Sequence, residues 1–111
     1  MKLVALDAPH EITQHGSVGA MVGGVANVGG WARVVVIQLE PGGVLGMHPA
    51  TVPQLLLVAD GRARVRSGTG EPVEIAAGQG VFWEAGEQHE TQTGETGLTA
   101  IVIESEELEL L

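Results

Sequence analysis

The sequence predicts a single all-β domain made of short strands joined by tight turns. Three observations support this prediction: valine occurs fifteen times, glycine occurs 17 times, and short apolar runs alternate with turn residues along the chain. β-Branched side chains favour pleated sheets over helices, and glycines scattered singly are typical of tight turns. With 111 residues, the chain is long enough for one hydrophobic core and no more.

The predicted strands follow one another with a turn after each. The longest apolar run, Trp31–Glu40, predicts a strand that ends at Pro41-Gly42-Gly43. Gln54–Ala59 and Arg62–Ser67 flank Asp60-Gly61, a dipeptide typical of two-residue hairpin turns. The other predicted strands are Lys2–Leu6, Glu11–His15, Val73–Ala77, Val81–Trp83, His89–Thr93 and Leu98–Glu104.

Two segments are less regular. Ser17–Gly30 is dotted with glycine and predicts one or two irregular strands, whereas the acidic tail 104–111 predicts a frayed or surface segment. The total is about eight to ten short strands without a long helix, a series typical of a sandwich or a closed jelly roll.

The charge balance argues against several classes of partner. The chain has 14 acidic and 5 basic residues, which gives a formal net charge of −9. Phosphate backbones and anionic membrane surfaces both attract clustered lysine and arginine, so we expect neither nucleic-acid nor membrane binding. No apolar run approaches the length of a membrane span, and Met1–Leu6 is too short for a signal-peptide core. Because cysteine is absent, the sequence favours a cytoplasmic location.

Two spaced motifs connect the chain to a known family. Residues Gly42–Gly61 read Gly-x5-His-x-Ala-x3-Gln-x6-Gly, which resembles the first cupin motif, Gly-x5-His-x-His-x3/4-Glu-x6-Gly. Residues Gly78–Thr93 read Gly-x5-Glu-x-Gly-x2-His-x3-Thr, which resembles the second, Gly-x5-Pro-x-Gly-x2-His-x3-Asn. The resemblance implies a single cupin domain over residues 1–111, folded as a jelly-roll β-barrel, the double-stranded β-helix.

The resemblance also implies a metal site, although the motifs depart from the family pattern. Metal-binding cupins usually offer two histidines and a glutamate from the first motif and one histidine from the second. Here Ala50 stands at the second histidine position and Gln54 at the glutamate position, so the implied ligands are His48, Gln54 and His89. Three such ligands can hold a divalent ion (Zn, Ni, Fe or Mn), but the neutral amide predicts weak affinity. Equally, the three side chains fit a polar pocket that holds ordered water.

Strand periodicity places the glutamine inside the fold without reference to the family. Gln54, Leu56 and Val58 share a face, because residues an even number apart point to the same side of a strand. The predicted hairpin pairs them with small and apolar residues and leaves outside the arginines Arg62, Arg64 and Arg66. An inward amide needs hydrogen-bond partners, and the imidazoles of His48 and His89 are the expected ones.

Two functions from different classes remain open. One is the binding of a small polar molecule in the barrel over a weakly held divalent ion, where Gln54 and Trp83 contact the ligand. If this protein is an enzyme, the ion would act as a Lewis acid, or bind dioxygen if it is iron. The other is a non-catalytic ligand-binding or sensing module without a metal. The two retained histidines favour the first function, and the missing histidine and glutamate favour the second.

The sequence further predicts a homodimer. Leu55 and Leu57 fall on the outer face of the strand that carries Gln54, and Val34–Ile37 presents apolar residues on both faces of another strand. A sheet that is apolar on both sides needs a cover. The N-terminal arm could supply part of it by crossing to a partner chain, as cupins commonly do. In the alternative, Met1–His15 folds back and covers the leucines of a monomer.

Overall fold

The computed structural model describes all residues from Met1 to Leu111, and the predicted all-β fold is confirmed. It contains twelve β-strands and, as its only helical segment, one 3₁₀ turn at Gln14–Gly16, so no helix could cross a membrane. The strands are β1 Lys2–Ala5, β2 His10–Ile12, β3 Ala20–Val22, β4 Ala26–Gly29, β5 Arg33–Leu39, β6 Val44–Pro49, β7 Gln54–Ser67, β8 Val73–Ala76, β9 Gln79–Trp83, β10 Gln88–Gln92, β11 Leu98–Glu104 and β12 Glu107–Leu110.

Two antiparallel sheets share the long strand β7. The first sheet has the order β1-β9-β7-β11-β5, and the second has the order β8-β7-β10-β6. The N-terminal half of β7 belongs to the first sheet and its C-terminal half to the second. β7 thus joins the two layers, and the functional motifs lie on strands of both.

The predicted hairpin at Asp60-Gly61 is wrong, because β7 runs through this point as one strand. Thr99 pairs with Asp60 and Ala100 pairs with Val58, so Ala59 is an extra, unpaired residue, a β-bulge. Gly61 has a φ of +82°, and a Cβ atom there would clash with the carbonyl oxygen of Gly97. The bulge turns the strand from one sheet into the other, where each half finds different partners.

The predicted inward faces are nevertheless correct. Leu56, Val58, Ala63 and Val65 are all buried in one core cluster, although the spacing from Val58 to Ala63 is odd. The extra residue of the bulge switches the alternation by one, which is the same change that a two-residue hairpin would have made. The arginines behave accordingly: Arg62 and Arg64 are exposed and Arg66 is half-buried.

The acidic tail is ordered rather than frayed. Its last residues form β12, which pairs with β4, and the first side chain after β11, Ser105, is fully buried. The Ser105 hydroxyl lies within hydrogen-bond distance of the carbonyl oxygens of Gly29 and Trp31, at 3.1 and 2.7 Å. The glutamates Glu106, Glu107 and Glu109 remain exposed, so the tail presents carboxylates to solvent while the buried Ser105 holds it to the fold.

Met1–His15 does not fold as one unit, because β1 joins the first sheet; residues 7–24, called the arm from here on, stand apart from the two sheets. Its strands β2 and β3 pair only with each other, and none of its residues is buried. Val18 and Met21 are among the most exposed apolar side chains of the molecule. An isolated two-stranded hairpin is marginally stable in water, so this arm lacks the support that the other strands have.

Candidate functional site

His48 and His89 lie side by side on the inner face of the second sheet. They are directly paired in the β6–β10 register, and their ring centroids are 4.3 Å apart with an interplanar angle of 54°. His89 is 2% exposed, whereas His48 is half-buried and nearer to solvent. The strand β6, which carries His48, was not among the predicted strands; the sequence predicted only the turn Pro41-Gly42-Gly43 before it.

The hydrogen bonds of the two rings leave the same nitrogen free on each. His48 Nδ1 lies 2.6 Å from the carbonyl oxygen of Gly46, and His89 Nδ1 lies 3.1 Å from that of Glu87. A carbonyl only accepts, so each Nδ1 carries the hydrogen and each Nε2 keeps its lone pair. Metal-binding histidines in proteins usually donate their other ring N–H in this way.

Burial favours the neutral form of His89 by lowering its pKa. Removal from water is the largest cause that lowers the pKa of His89, and the neighbouring His48 ring lowers it further. The Glu87 carbonyl and carboxylate act in the opposite direction but are outweighed. A neutral imidazole is the form that binds a metal ion or accepts a hydrogen bond.

Trp83 covers His89 from the opposite sheet. The two rings stack with centroids 4.3 Å apart and an interplanar angle of 26°, and the indole is 1% exposed. Its Nε1–H has no hydrogen-bond partner, and neither has the hydroxyl of Thr91, two residues beyond His89 on β10. Trp83 is thus in direct contact with His89.

Gln54 points inward, but it contacts Glu104, which was not among the predicted site residues. Its Nε2 donates to Glu104 Oε1 at 3.4 Å, and it makes no hydrogen bond with His48 or His89. Because a carboxylate only accepts, Glu104 must face the amide nitrogen, and the amide oxygen of Gln54 is left available for another partner.

Glu104 was assigned to the tail, although a signal for its inward position was present. Leu98, Ala100 and Val102 alternate on β11 and are all buried, and Glu104 continues their face. In register it is opposite Gln54, which in turn is opposite Trp83 on β9. These three side chains form a row across the first sheet.

Glu87 closes the end of the barrel below the histidines. It accepts hydrogen bonds from Ser67 Oγ at 2.5 Å and from the Glu84 backbone N–H at 3.0 Å, and it also pairs with the N-terminal ammonium of Met1. Burial alone would raise the pKa of Glu87, but these contacts outweigh it and lower the pKa. Glu84, at the start of the same turn, is exposed, whereas Glu87 is half-buried.

Two further departures from the motifs have structural explanations. Ala50, at the second histidine position, is 1% exposed and packs in the core cluster. Thr93, at the asparagine position, accepts from the Gly43 backbone N–H at 2.8 Å and donates to the Glu40 carbonyl at 2.5 Å. Thr93 therefore fixes the turn before β6, which carries His48.

The open depressions of the surface lie away from these residues. The largest, about 680 Å³, is lined by Gln38–Glu40, Asp60–Gly61 and Thr96–Thr99, and none includes His48, Gln54 or His89. No three His, Asp or Glu side chains lie close enough together to hold a metal ion. The two histidines therefore have no third His, Asp or Glu side chain beside them.

Two facing antiparallel sheets with a histidine pair between them define a small β-barrel protein with an inward polar site. The sequence model of the family described as "Cupin domain" matches residues 35–104, so the chain belongs to the cupin domain family. The match covers both motifs and ends at Glu104. No curated protein matches the chain in sequence.

Solved structures agree with this fold. An uncharacterized conserved protein with a double-stranded β-helix domain from Klebsiella pneumoniae is 21% identical, with a TM-score of 0.63 over 78% of this chain and 75% of that one. A predicted oxalate decarboxylase from Thermotoga maritima is 26% identical, with a TM-score of 0.59 over 72% and 68%. A DMSP lyase from Ruegeria pomeroyi is 18% identical, with a TM-score of 0.63 over 78% of this chain. The chain spans only 41% of that lyase.

Proposed function

We propose that this cupin binds a small polar molecule inside its barrel, over a weakly held divalent ion with His48, Gln54 and His89 as ligands. One observation carries the proposal: both imidazoles donate Nδ1–H to backbone carbonyls, so that the Nε2 atoms of both rings, on adjacent strands, have no hydrogen-bond partner. Gln54 adds an amide oxygen that Glu104 keeps available. Two nitrogens and one oxygen suit Zn, Ni, Fe or Mn, the metals that imidazole-containing sites hold.

The chemistry that such an ion supplies is the polarisation of a carbonyl or hydroxyl oxygen. The residues of this chain would bind and orient the ligand. Trp83 excludes water from one side of His89, and Glu104 fixes the Gln54 amide. The oxalate decarboxylase and DMSP lyase similarities fit a site of this kind, but neither names the substrate here.

Metal analysis and titration test the proposal. Protein purified without a chelator or a histidine tag should contain a divalent metal at a substoichiometric level, and calorimetric titration with Zn²⁺ should show one site per chain. His48→Ala and His89→Ala should each abolish this site. The matched control is the double variant His10→Ala, His15→Ala, which removes both exposed histidines of the arm and should leave the site intact. Retention of Zn²⁺ binding without His48 and His89 would refute the metal site.

The second candidate is a ligand-binding or sensing module without a metal. The observation that favours it is that no three His, Asp or Glu side chains converge, so the third ligand brings no charge. In this case the histidine Nε2 atoms accept hydrogen bonds from the ligand itself. The titration above separates the two candidates, since the module should bind no Zn²⁺ at the histidines.

We further propose that the protein is a cytoplasmic homodimer. The lack of cysteine supports the location. The outer face of the first sheet supports the dimer: Val34 and Val36 on β5 are about 65% exposed, and Ile101 is opposite Val36 in register. Leu55, in contrast, is 1% exposed within the single chain, so only the β5–β11 side of this face lacks a cover. We expect the exposed arm of a second copy to supply it.

A further inference from the structure

Two polar groups inside the barrel are buried without a partner, the indole N–H of Trp83 and the hydroxyl of Thr91. Both side chains are about 1% exposed, so neither group reaches bulk water. An unpaired buried donor is costly, and folded proteins rarely contain one without an occupant that completes it. These are the only two such side-chain groups of the protein, and they lie in the same region.

Their positions relative to His89 define that region. Trp83, on β9, stacks on the His89 ring from the first sheet. Thr91 follows His89 by two residues on β10 and therefore shares its inward face in the second sheet. In register Thr91 is opposite Leu45 and Val65, so it lies deeper in the barrel than the histidine pair.

A metal ion alone cannot complete this arrangement. The Nε2 atoms of His48 and His89 have lone pairs and can bind a cation. The indole N–H of Trp83 only donates a hydrogen bond, so a cation at the histidines leaves it unpaired. The Thr91 hydroxyl both donates and accepts, and its neighbours at this depth are apolar. The indole N–H therefore needs an acceptor oxygen, which a ligand or an ordered water can supply.

We propose that Trp83 Nε1 and Thr91 Oγ1 form an oxygen-binding subsite, which holds a carbonyl or carboxylate oxygen of a small ligand next to the histidine pair. The proposal rests on the proposed function, because it takes the barrel interior as the binding site. It adds the ligand class: a compound with an acceptor oxygen at the end that enters first.

The indole N–H itself can report on this subsite. The chain has two tryptophans, so Trp31→Phe leaves Trp83 as the only source of an indole signal. In the full chain with this change, one indole ¹H–¹⁵N resonance is expected, and its proton shift moves downfield when the N–H donates a hydrogen bond. The probes are Zn²⁺ and acetate, added separately and together.

Acetate in the presence of Zn²⁺ should move the indole resonance downfield in a saturable manner, and Zn²⁺ alone should not. Thr91→Val keeps the shape and removes the hydroxyl, and it should weaken acetate binding roughly threefold to tenfold, the worth of one ordinary hydrogen bond. Trp83→Phe, followed by calorimetry, should weaken it by a similar factor. Thr99→Val, on the outer side of β11, is the matched control and should change nothing.

The outcomes separate the subsite from the metal site. Equal acetate affinity in Thr91→Val, Trp83→Phe and the parent protein would overturn the subsite. Zn²⁺ binding without any acetate effect on the indole would also overturn it but would leave the metal site standing. Failure of both probes would refute the metal-dependent form of the proposed function as well. Thr91→Val should unfold at the same or a higher temperature without ligand, since it removes an unpaired hydroxyl, so a loss of binding cannot be attributed to misfolding.

Discussion

Exchanging the residues at positions 54 and 104 tests whether Gln54 is a ligand. The double variant Gln54→Glu, Glu104→Gln keeps a hydrogen bond between the two side chains, because the new amide at 104 can donate to the new carboxylate at 54. The net charge is unchanged. The negative charge moves onto the side chain that carries the proposed third ligand oxygen. We expect the affinity for Zn²⁺ to rise at least tenfold, which corresponds to about 1.4 kcal/mol.

The single variant Gln54→Glu is the informative contrast. In the parent protein Gln54 Nε2 and Glu104 Oε1 are 3.4 Å apart, so this change brings two carboxylates within contact distance at a partly buried place. Like charges this close raise the pKa of one carboxyl group, and the lost hydrogen bond leaves the site unpaired. Without metal, the free energy of unfolding should fall by about 1–3 kcal/mol. Zn²⁺ should restore much of it, because the cation relieves the repulsion.

Calorimetric titration gives the affinities, and urea unfolding with and without EDTA gives the stabilities. A folded double variant whose Zn²⁺ affinity equals that of the parent would show that position 54 does not contact the ion. Adding Ala50→His to Gln54→Glu completes the family ligand set and should also raise the affinity at least tenfold. Since Ala50 is packed in the core, the larger side chain should cost roughly 1–3 kcal/mol of stability, so the gain must be measured on folded protein.

Three more predictions concern the bulge, the pH dependence and the dimer. Gly61→Ala should lower the free energy of unfolding by more than about 2 kcal/mol in urea titrations, because Gly61 has a positive φ and a Cβ atom there clashes with Gly97. In the control Gly46→Ala, where a Cβ atom meets nothing, the free energy of unfolding should change by less than about 0.5 kcal/mol. The pKa of His89 is lowered on folding, so below about pH 6.5 the unfolded chain binds more protons than the folded one. The free energy of unfolding should therefore be highest above about pH 6.5 and fall below it. His89→Gln should flatten this pH dependence, and an unchanged pH dependence would contradict the lowered pKa of His89. In sedimentation, Val36→Glu should give a monomer of 11.5 kDa. Val44 is similarly exposed but lies on the other sheet, so the control Val44→Glu should remain dimeric. A monomeric parent protein would refute the dimer.

The parts of this fold that sequence predicts are those governed by local periodicity and turn chemistry. Alternation identified the inward face of β7 on both sides of the bulge, and the four motif glycines Gly42, Gly61, Gly78 and Gly86 all have positive φ. The prediction of a hairpin was wrong because Asp-Gly is compatible with a bulge as well as with a two-residue turn. Which of the two forms depends on whether the halves of β7 pair with each other or with β11 and β10, a choice made by distant strands.

The same distinction between local sequence patterns and long-range strand pairing explains which site residues could be predicted. The motif spacing was sufficient to select His48 and His89, and the structure places them 4.3 Å apart. It could not select Glu104, because the contact with Gln54 spans fifty residues of sequence and depends on the β7–β11 register. The alternation of Leu98, Ala100 and Val102 is a signal that position 104 points inward, but it does not identify the partner.

The position of Glu104 changes how the missing motif glutamate should be interpreted. Replacing that glutamate by Gln54 removes a charge from the ligand position, and taken alone this argues against a metal. The structure shows that a carboxylate is still present one strand away, in hydrogen-bond contact with the amide that replaced it. A carboxylate there polarises the amide and attracts a cation through it, because electrostatic interactions extend further in a partly buried site than in water. Glu104→Gln alone should therefore weaken Zn²⁺ binding, although residue 104 is not among the proposed ligands. Glu95→Gln, an exposed carboxylate far from Gln54 in the fold, is the control for the change in net charge. Equal Zn²⁺ affinities in these two variants would show that Glu104 only supports the fold.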